Sequence, residues 1–274
     1  MWENIEPPRD VSSRGFFIGT GGYLFKDWEN RFYPPNAKSK LQKLSHYQQY
    51  FNYVEISHTF SEPAQKETFE EIGRVSKDGM QFGIRLHRDI SHNRFWDIEQ
   101  GHRIMKEYIA AVSPLVETGK CFSLLLFVED KPRSQKRLDY LLAVSSEAVD
   151  RRIDVHIAFG HYSWHQHHVL KSLQDAGIGI CNAELPLQNA FPLKSYATSE
   201  KGYIRYCGAK GMGDHIYSQG DIEERIGGQV ELSRKVSHLG IAYCNCFLAR
   251  APMNAIQNIH QLNQIFEFSH ITGC

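Results

Sequence analysis

An α/β barrel of the TIM type, a (β/α) barrel, is the fold this sequence predicts, and three observations point to it. Eight short apolar runs are spaced along the chain with segments of helical period between most of them, the pattern of a parallel sheet covered by its crossovers. The 274 residues are long for an ordinary domain but normal for such a barrel, which takes about 250. An open doubly wound sheet would announce a nucleotide loop early in the chain, and none is readable here.

The first strand is expected over Gly15–Thr20, and it feeds the densest stretch of the chain, Ile18–Pro34. There Gly19, Gly21 and Gly22 permit sharp turns or close approach, while Tyr23, Phe25, Trp28, Phe32 and Tyr33 crowd the same connection. Two readings stay open: an aromatic plug closing one end of a barrel, or a substrate-facing first loop. Leu41, Leu44, Gln48 and Phe51 then share a helical face, with Tyr47 beside them, before a second strand at Tyr53–Ser57. The third strand is read at Met80–Leu86 and is followed by the face of Ile104, Tyr108, Val112 and Leu115. The fourth, Phe122–Phe127, precedes the face of Leu138, Leu141, Leu142 and Val149. After the fifth, Val155–Phe159, the run Ser163–Gln166 resembles a capping box and would start the fifth helix. The sixth strand is expected at Ile178–Asn182. Between Glu184 and Lys201, Pro186 and Pro192 occur without a sustained apolar period, so the sixth crossover reads as a loop and the barrel as imperfect. Gly202–Tyr206 and Leu239–Cys246 complete the strands, with helical faces at Ile222, Ile226 and Val230 and at Ile256, Ile259 and Leu262. Nothing marks a linker, a repeat or a second domain, so residues 1–274 read as one domain.

Lys plus Arg equals Asp plus Glu at 31 each, which argues against a strong non-specific nucleic-acid binder, since phosphate neutralisation needs a basic excess. A local basic groove remains compatible with that balance. The cysteines, Cys121, Cys181, Cys207, Cys244, Cys246 and Cys274, are too sparse for a disulfide scaffold. Met1 to Asp10 is polar and proline-bearing, unlike a signal peptide, and no apolar run approaches the roughly 20 residues of a membrane span. A cytoplasmic protein without a membrane partner is the expectation.

In such a barrel chemistry sits at the carboxyl ends of the strands. The polar residues there are Tyr23 and Asp27 after the first strand, Glu55 within the second, and Arg85 to His92 at the third. Glu129 and Asp130 follow the fourth, His161 and Trp164 the fifth, and Glu184 the sixth; Arg205 ends the seventh and Asn245 the eighth. Glu55 interrupts an otherwise apolar strand, and a buried carboxylate must be paired, so Arg85 or Arg205 is expected beside it. That pair would be either functional or a structural ion pair inside the barrel. The loop Gly208–Gly220 carries Lys210, Gly211 and Gly213 and could hold a phosphate with Arg205. His161, His165, His167 and His168 are dense, but a metal site wants more ligands than their spacing supplies, so no metal is assigned and no cofactor is identifiable. Cys244 and Cys246 would share a strand face and read as packing, and Cys207 lacks a readable base for nucleophilic work.

The successive motifs Ile18–Pro34, Phe51–Phe60 (FNYVEISHTF) and Phe82–His92 (FGIRLHRDISH) resemble those of the YecE-like family, catalogued as a domain of unknown function. The order continues with LLLF ending at Phe127, HYSW at His161–Trp164, CNAELP at Cys181–Pro186, YIRYCG at Tyr203–Gly208 and APMNA at Ala251–Ala255, so the likeness spans about residues 15–262. The resemblance implies a TIM-type barrel and no established activity; nucleic-acid binding has been suggested within the family. Glu55, His92, His161, Trp164, Arg205 and Asn254 match its pattern. This chain departs at Ala158 and Gly160, where the family carries Glu and Arg, and at Val128 for Gln. It departs again at Arg85 for Lys, Glu184 for Asp, Cys207 for His, and Cys244-Asn245-Cys246 for Phe-Asn-Asn. Loss of a carboxylate and a guanidinium together fits removal of a partnered pair and a divergent member with altered or reduced activity.

Two functional expectations follow. The first is a barrel that binds a phosphate-containing ligand (nucleotide, nucleic acid or sugar phosphate) at its mouth, with Glu55 and His161 as acid–base candidates. Tyr23, Asp27, Trp28, Arg85, His92, Trp164, Glu184, Arg205, Lys210 and Asn245 would be its ligand contacts. The alternative is a non-catalytic nucleic-acid or protein-partner binder with a degenerate site, in which Trp164, Tyr23 and Trp28 stack on bases.

Overall fold

The computed structural model describes residues 5–92, 95–128, 131–185, 195–208 and 214–272. Eight parallel strands close a barrel in chain order: β1 (Phe16–Thr20), β2 (Tyr53–Ile56), β3 (Gln81–Arg85), β4 (Cys121–Val128), β5 (Val155–Phe159), β6 (Gly179–Glu184), β7 (Lys201–Tyr206) and β8 (His238–Tyr243). β8 pairs back onto β1, Phe16 opposite Leu239 through Thr20 opposite Tyr243, and that closure removes every sheet edge. The strands read as apolar runs because both faces are covered.

The helices follow their strands: α1 (Lys40–Tyr47), α2 (Lys66–Val75), the short α3 (Arg88–Ser91), α4 (Ile98–Glu117), α5 (Gln135–Val149), α6 (His167–Asp175), α7 (Gln219–Ser233) and α8 (Arg250–Thr272). Side chains start several of them. Ser39 and Gln42 form a reciprocal capping box on α1, Ser218 and Asp221 another on α7, and Asp97 and Ser134 cap α4 and α5. The capping box expected at Ser163 is not one. Ser163 lies in a 3-10 turn at Tyr162–Trp164, its hydroxyl accepts the Arg133 N–H at 2.8 Å, and α6 begins at His167 after an uncapped Gln166. β8 also ends earlier than the sequence suggests, so Cys244 and Cys246 lie in the turn beyond it rather than on a strand face. Among the described residues no helix lies between β6 and β7; the expected loop there falls mostly on residues 186–194, which are outside the described set.

Two cores result. The larger fills the space between strands and helices, with Ile18, Val54, Ile84, Leu124, Ile157, Ile204 and Ile241 facing α-helical side chains. The smaller lies inside the barrel and includes Tyr53, Phe122, Leu125, Ala158, Cys181, Tyr203 and Cys207. No described helix is long and apolar enough to cross a membrane.

Candidate functional site

The site is built on a buried polar column inside the barrel. Tyr53 on β2 and Tyr203 on β7 meet across it, Tyr53 donating to the Tyr203 hydroxyl. Room for the two rings comes from β3: a Cβ on Gly83 would sit 2.0 Å from the Tyr53 hydroxyl. Tyr203 donates onward to Glu55 Oε2 at 2.9 Å, and burial holds both phenols well above their ordinary pKa, so they stay protonated donors.

Glu55, fully buried, is the next layer. Arg205 reaches it from β7 with a two-point contact, Nε to Oε2 at 2.9 Å and Nη2 to Oε1 at 3.0 Å. The partner left open between Arg85 and Arg205 is therefore Arg205. With three donors on one carboxylate, Glu55 is held and neutralised beneath the mouth rather than presented at it.

Above this layer opens a pocket of about 380 Å³ at the carboxyl ends of the strands. Arg85 and Arg205 line it with Cys207, Cys244 and Cys246, and Gly21, Phe25, Asp27, Ser57 and Phe247 form the remaining wall. Arg85 differs from Arg205. Its guanidinium lies over Phe60 at 3.9 Å and near Phe127 at 5.2 Å, and its buried Nε has no hydrogen-bond partner among the described residues. Burial and the neighbouring Arg205 push its pKa down, the direction expected of a cation short of counter-charge.

The first loop divides between the barrel plug and the pocket wall. Tyr23, Trp28, Phe32 and Tyr33 are buried, the Trp28 indole N–H donates to the Cys246 carbonyl at 2.6 Å, and the Tyr33 hydroxyl to the Tyr23 carbonyl. Burial lifts the Tyr23 phenol to about 12. These rings plug the barrel end. Gly21, Phe25 and Asp27 face the pocket, with Asp27 accepting the Leu248 N–H at 2.6 Å and so tying the first loop to the last.

The other expected contacts lie elsewhere. Trp164 is fully buried, stacked on Phe159 at 4.7 Å, and donates its N–H to the Lys131 carbonyl. With Trp164, Tyr23 and Trp28 all packed inside, none offers a face on which a base could stack. His161 caps the turn after β5 through Ser163 and stacks on Tyr162, outside the pocket wall. His92 packs on Phe60, one ring away from Arg85, and its Nδ1 contacts the Ser91 hydroxyl. Glu184 is bound by Arg225 at 2.8 Å and by the Tyr217 hydroxyl. Asn245 is buried and bridges the His215 carbonyl and Asn254. Lys210, Glu129 and Asp130 lie outside the described residues. Among the described residues no three His, Cys, Asp or Glu side chains converge as a metal would require, the histidines near α6 included.

What the sequence does not bring together is the pocket's apolar and thiol wall: Phe25 with Ser57 and Phe247, and Cys207 beside Cys244. The thiol pairing was readable only with register in hand. Tyr206 pairs with Tyr243, and the Cys244 N–H bonds the Tyr206 carbonyl at 2.8 Å, so the next residues stand side by side.

Comparison with known proteins agrees with this geometry. The family model described as "Protein of unknown function DUF72" matches residues 17–270, and the motif resemblance is to this same family. A DUF72 family protein of Thermotoga maritima is 24% identical with a TM-score of 0.79, the match covering 90% of this chain and 99% of that one. One from Enterococcus faecalis V583 is 17% identical with a TM-score of 0.78, covering 90% and 95%. At these identities the likeness shows the fold alone. No curated protein matches the chain.

Proposed function

We propose, for a chain that belongs to the DUF72 family and takes from it a barrel but no activity, that the mouth pocket binds a small phosphate-containing ligand through Arg85, with Arg205 beside it. The observation that carries this reading is Arg85: a guanidinium held by two rings, lining a pocket, with a buried Nε unpartnered among the described residues. An unsatisfied buried donor on a cation costs free energy that an anion in the pocket would recover. The pocket volume falls in the range of small-molecule sites, a nucleotide or sugar phosphate rather than a polymer track. The electroneutral chain and the buried aromatic rings give extended nucleic acid little to grip.

In this reading Glu55 is a positioning residue that holds Arg205, and Arg205 supplies the second donor plane. Phe25 and Phe247 give an apolar wall for the ligand's organic part. The test is thermal unfolding with inorganic phosphate, pyrophosphate, nucleoside monophosphates and sugar phosphates, on wild type and Arg85→Gln. A ligand at a hundredfold excess over Kd adds about 2.7 kcal/mol to stability. A shift with one of these classes that Arg85→Gln removes is the expected result. Equal behaviour of the two proteins across the whole set would overturn the reading.

A further inference from the structure

We propose that Cys207 and Cys244 form a reactive dithiol, with Cys207 the nucleophile and Cys244 the resolving thiol, and that it exchanges with small disulfides carrying negative charge. The proposal rests on the anion reading for its choice of substrate, and on the thiols' own geometry for its chemistry. Both cysteines line the mouth pocket, Cys244 half-buried and Cys207 buried beneath it, so a ligand seated there lies against the pair and reaches the Cys207 sulfur once the pocket floor gives way. They directly follow the paired Tyr206 and Tyr243 that end β7 and β8, strands that lie about 4.8 Å apart, a separation that a disulfide spans. Gly21 keeps that corner open, since a Cβ there would lie 2.6 Å from the Cys244 sulfur. Both are free thiols.

Their surroundings differ from those of the remaining described cysteines. The Cys244 thiol hydrogen-bonded to Cys207, helped by Arg205 and Arg85 and opposed by burial, pulls the Cys207 thiol below its ordinary pKa. Cys244 is pushed up by that same contact and by burial. Burial pushes Cys181 and Cys246 up, and Cys121 to about 12. Two adjacent thiols beside two guanidiniums, one eased towards the thiolate and the other held as a thiol, are the arrangement exchange needs. The guanidiniums that favour a thiolate also disfavour a metal cation at the pair and favour an anionic disulfide.

The exchange balances without a further co-reactant. The Cys207 thiolate attacks one sulfur of the substrate, the substrate S–S bond breaks, and one half leaves as a thiolate. The Cys244 thiol gives up its proton to solvent and attacks the Cys207 sulfur of the mixed disulfide. The second half leaves as a thiolate, the pair is oxidised to a disulfide, and the substrate is reduced to two thiols.

Dithiobis(nitrobenzoate), an aromatic disulfide with two carboxylates, is the probe, and cystamine is the cationic control. The protein carries Cys274→Ser so that the chain-terminal thiol is not counted. The expected result is a fast phase releasing two leaving thiolates per chain. Cys244→Ser should reduce it to one, and Cys207→Ser should abolish it. A fast phase that survives Cys207→Ser, or two equivalents released by Cys244→Ser, would overturn the assignment. With each rate divided by that probe's rate with a free small thiol, which removes the difference in leaving group, the anionic probe should be favoured about tenfold over cystamine, a preference that Arg85→Gln removes. Equal normalised rates for the two probes would end the anion reading while leaving the dithiol in place. A phosphate-induced thermal shift without any fast phase would do the reverse.

Discussion

Replacing Glu55 with glutamine is the sharpest test of how the barrel interior is held. The substitution keeps size and shape but removes the charge and turns one acceptor oxygen into an amide donor facing the donors of Arg205. Three hydrogen bonds are at stake, from Tyr203 at 2.9 Å and from Arg205 at 2.9 and 3.0 Å, all on a fully buried carboxylate. Breaking a buried ion pair costs about 3–5 kcal/mol, against about 0–1 kcal/mol for an exposed one. A Tyr203 hydroxyl left without its carboxylate places the expectation in the upper half of that range. With a urea slope of about 3 kcal/mol per molar, the unfolding midpoint should fall by roughly 1.3–1.7 M. Arg205→Met should cost a similar amount, because it strands the carboxylate instead. The double variant removes both charges, so its cost should stay within about 1 kcal/mol of the larger single value. Single losses below about 1 kcal/mol, or two losses that add, would refute the view that Glu55 and Arg205 act as one buried unit.

Two further outcomes follow from other layers. His156 is fully buried, with Nδ1 on the Ser123 hydroxyl at 2.6 Å and Nε2 on the Lys201 carbonyl at 2.9 Å, and burial pushes its pKa down to about 4. A depressed histidine pKa means stability is complete above the unfolded value near 6.5 and lost as pH falls from there towards 4, by about 3 kcal/mol in all. Thermal midpoints measured between those limits should drop in wild type and drop less in His156→Gln; parallel curves would exclude His156 as the cause. At the mouth, Trp28→Ala should cost about 3–5 kcal/mol as a buried-ring deletion, and Trp28→Phe about 1 kcal/mol for the lost indole bond to Cys246. Hydrogen exchange should quicken at residues 246–249 in the alanine variant, and unchanged exchange there would show that the first loop does not brace the last.

The strands were legible because a barrel strand is covered on both faces, so Phe122–Phe127 or Val155–Phe159 needs no alternation to be read. The cap at Ser163 was misread for a tertiary reason. Its hydroxyl had two possible clients, and the local pattern contains the helix N–H but not the Arg133 N–H that arrives from the loop after β4. The same limit applies to the site. Glu55 announces a need for a partner by its position in an apolar strand, yet Arg85 and Arg205 satisfy that need equally on paper. Only the register of β7 across the barrel decides it. The aromatic richness of the first loop was visible, but whether a ring packs inward or faces a ligand depends on what lies above it. Here the last loop, through the Cys246 carbonyl and the Leu248 N–H, closes over Trp28 and leaves Asp27 at the rim.

The two arginines of the mouth show why burial alone is a poor guide to function. Arg205 is the more buried and the better bonded, and every contact it makes is already inside the protein. A ligand would gain little from it beyond its remaining donors, and removing it would register first as a loss of stability. Arg85 is held by ring faces, which orient a guanidinium without using up its N–H groups. Its Nε has no partner among the described residues, so substitution there should change binding more than folding. The contrast predicts that Arg205→Met shifts the urea midpoint strongly, whereas Arg85→Gln leaves it within about 0.5 M while abolishing the phosphate shift. The opposite ranking would mean that Arg85 braces the barrel and that the mouth pocket is lined by structural charge alone.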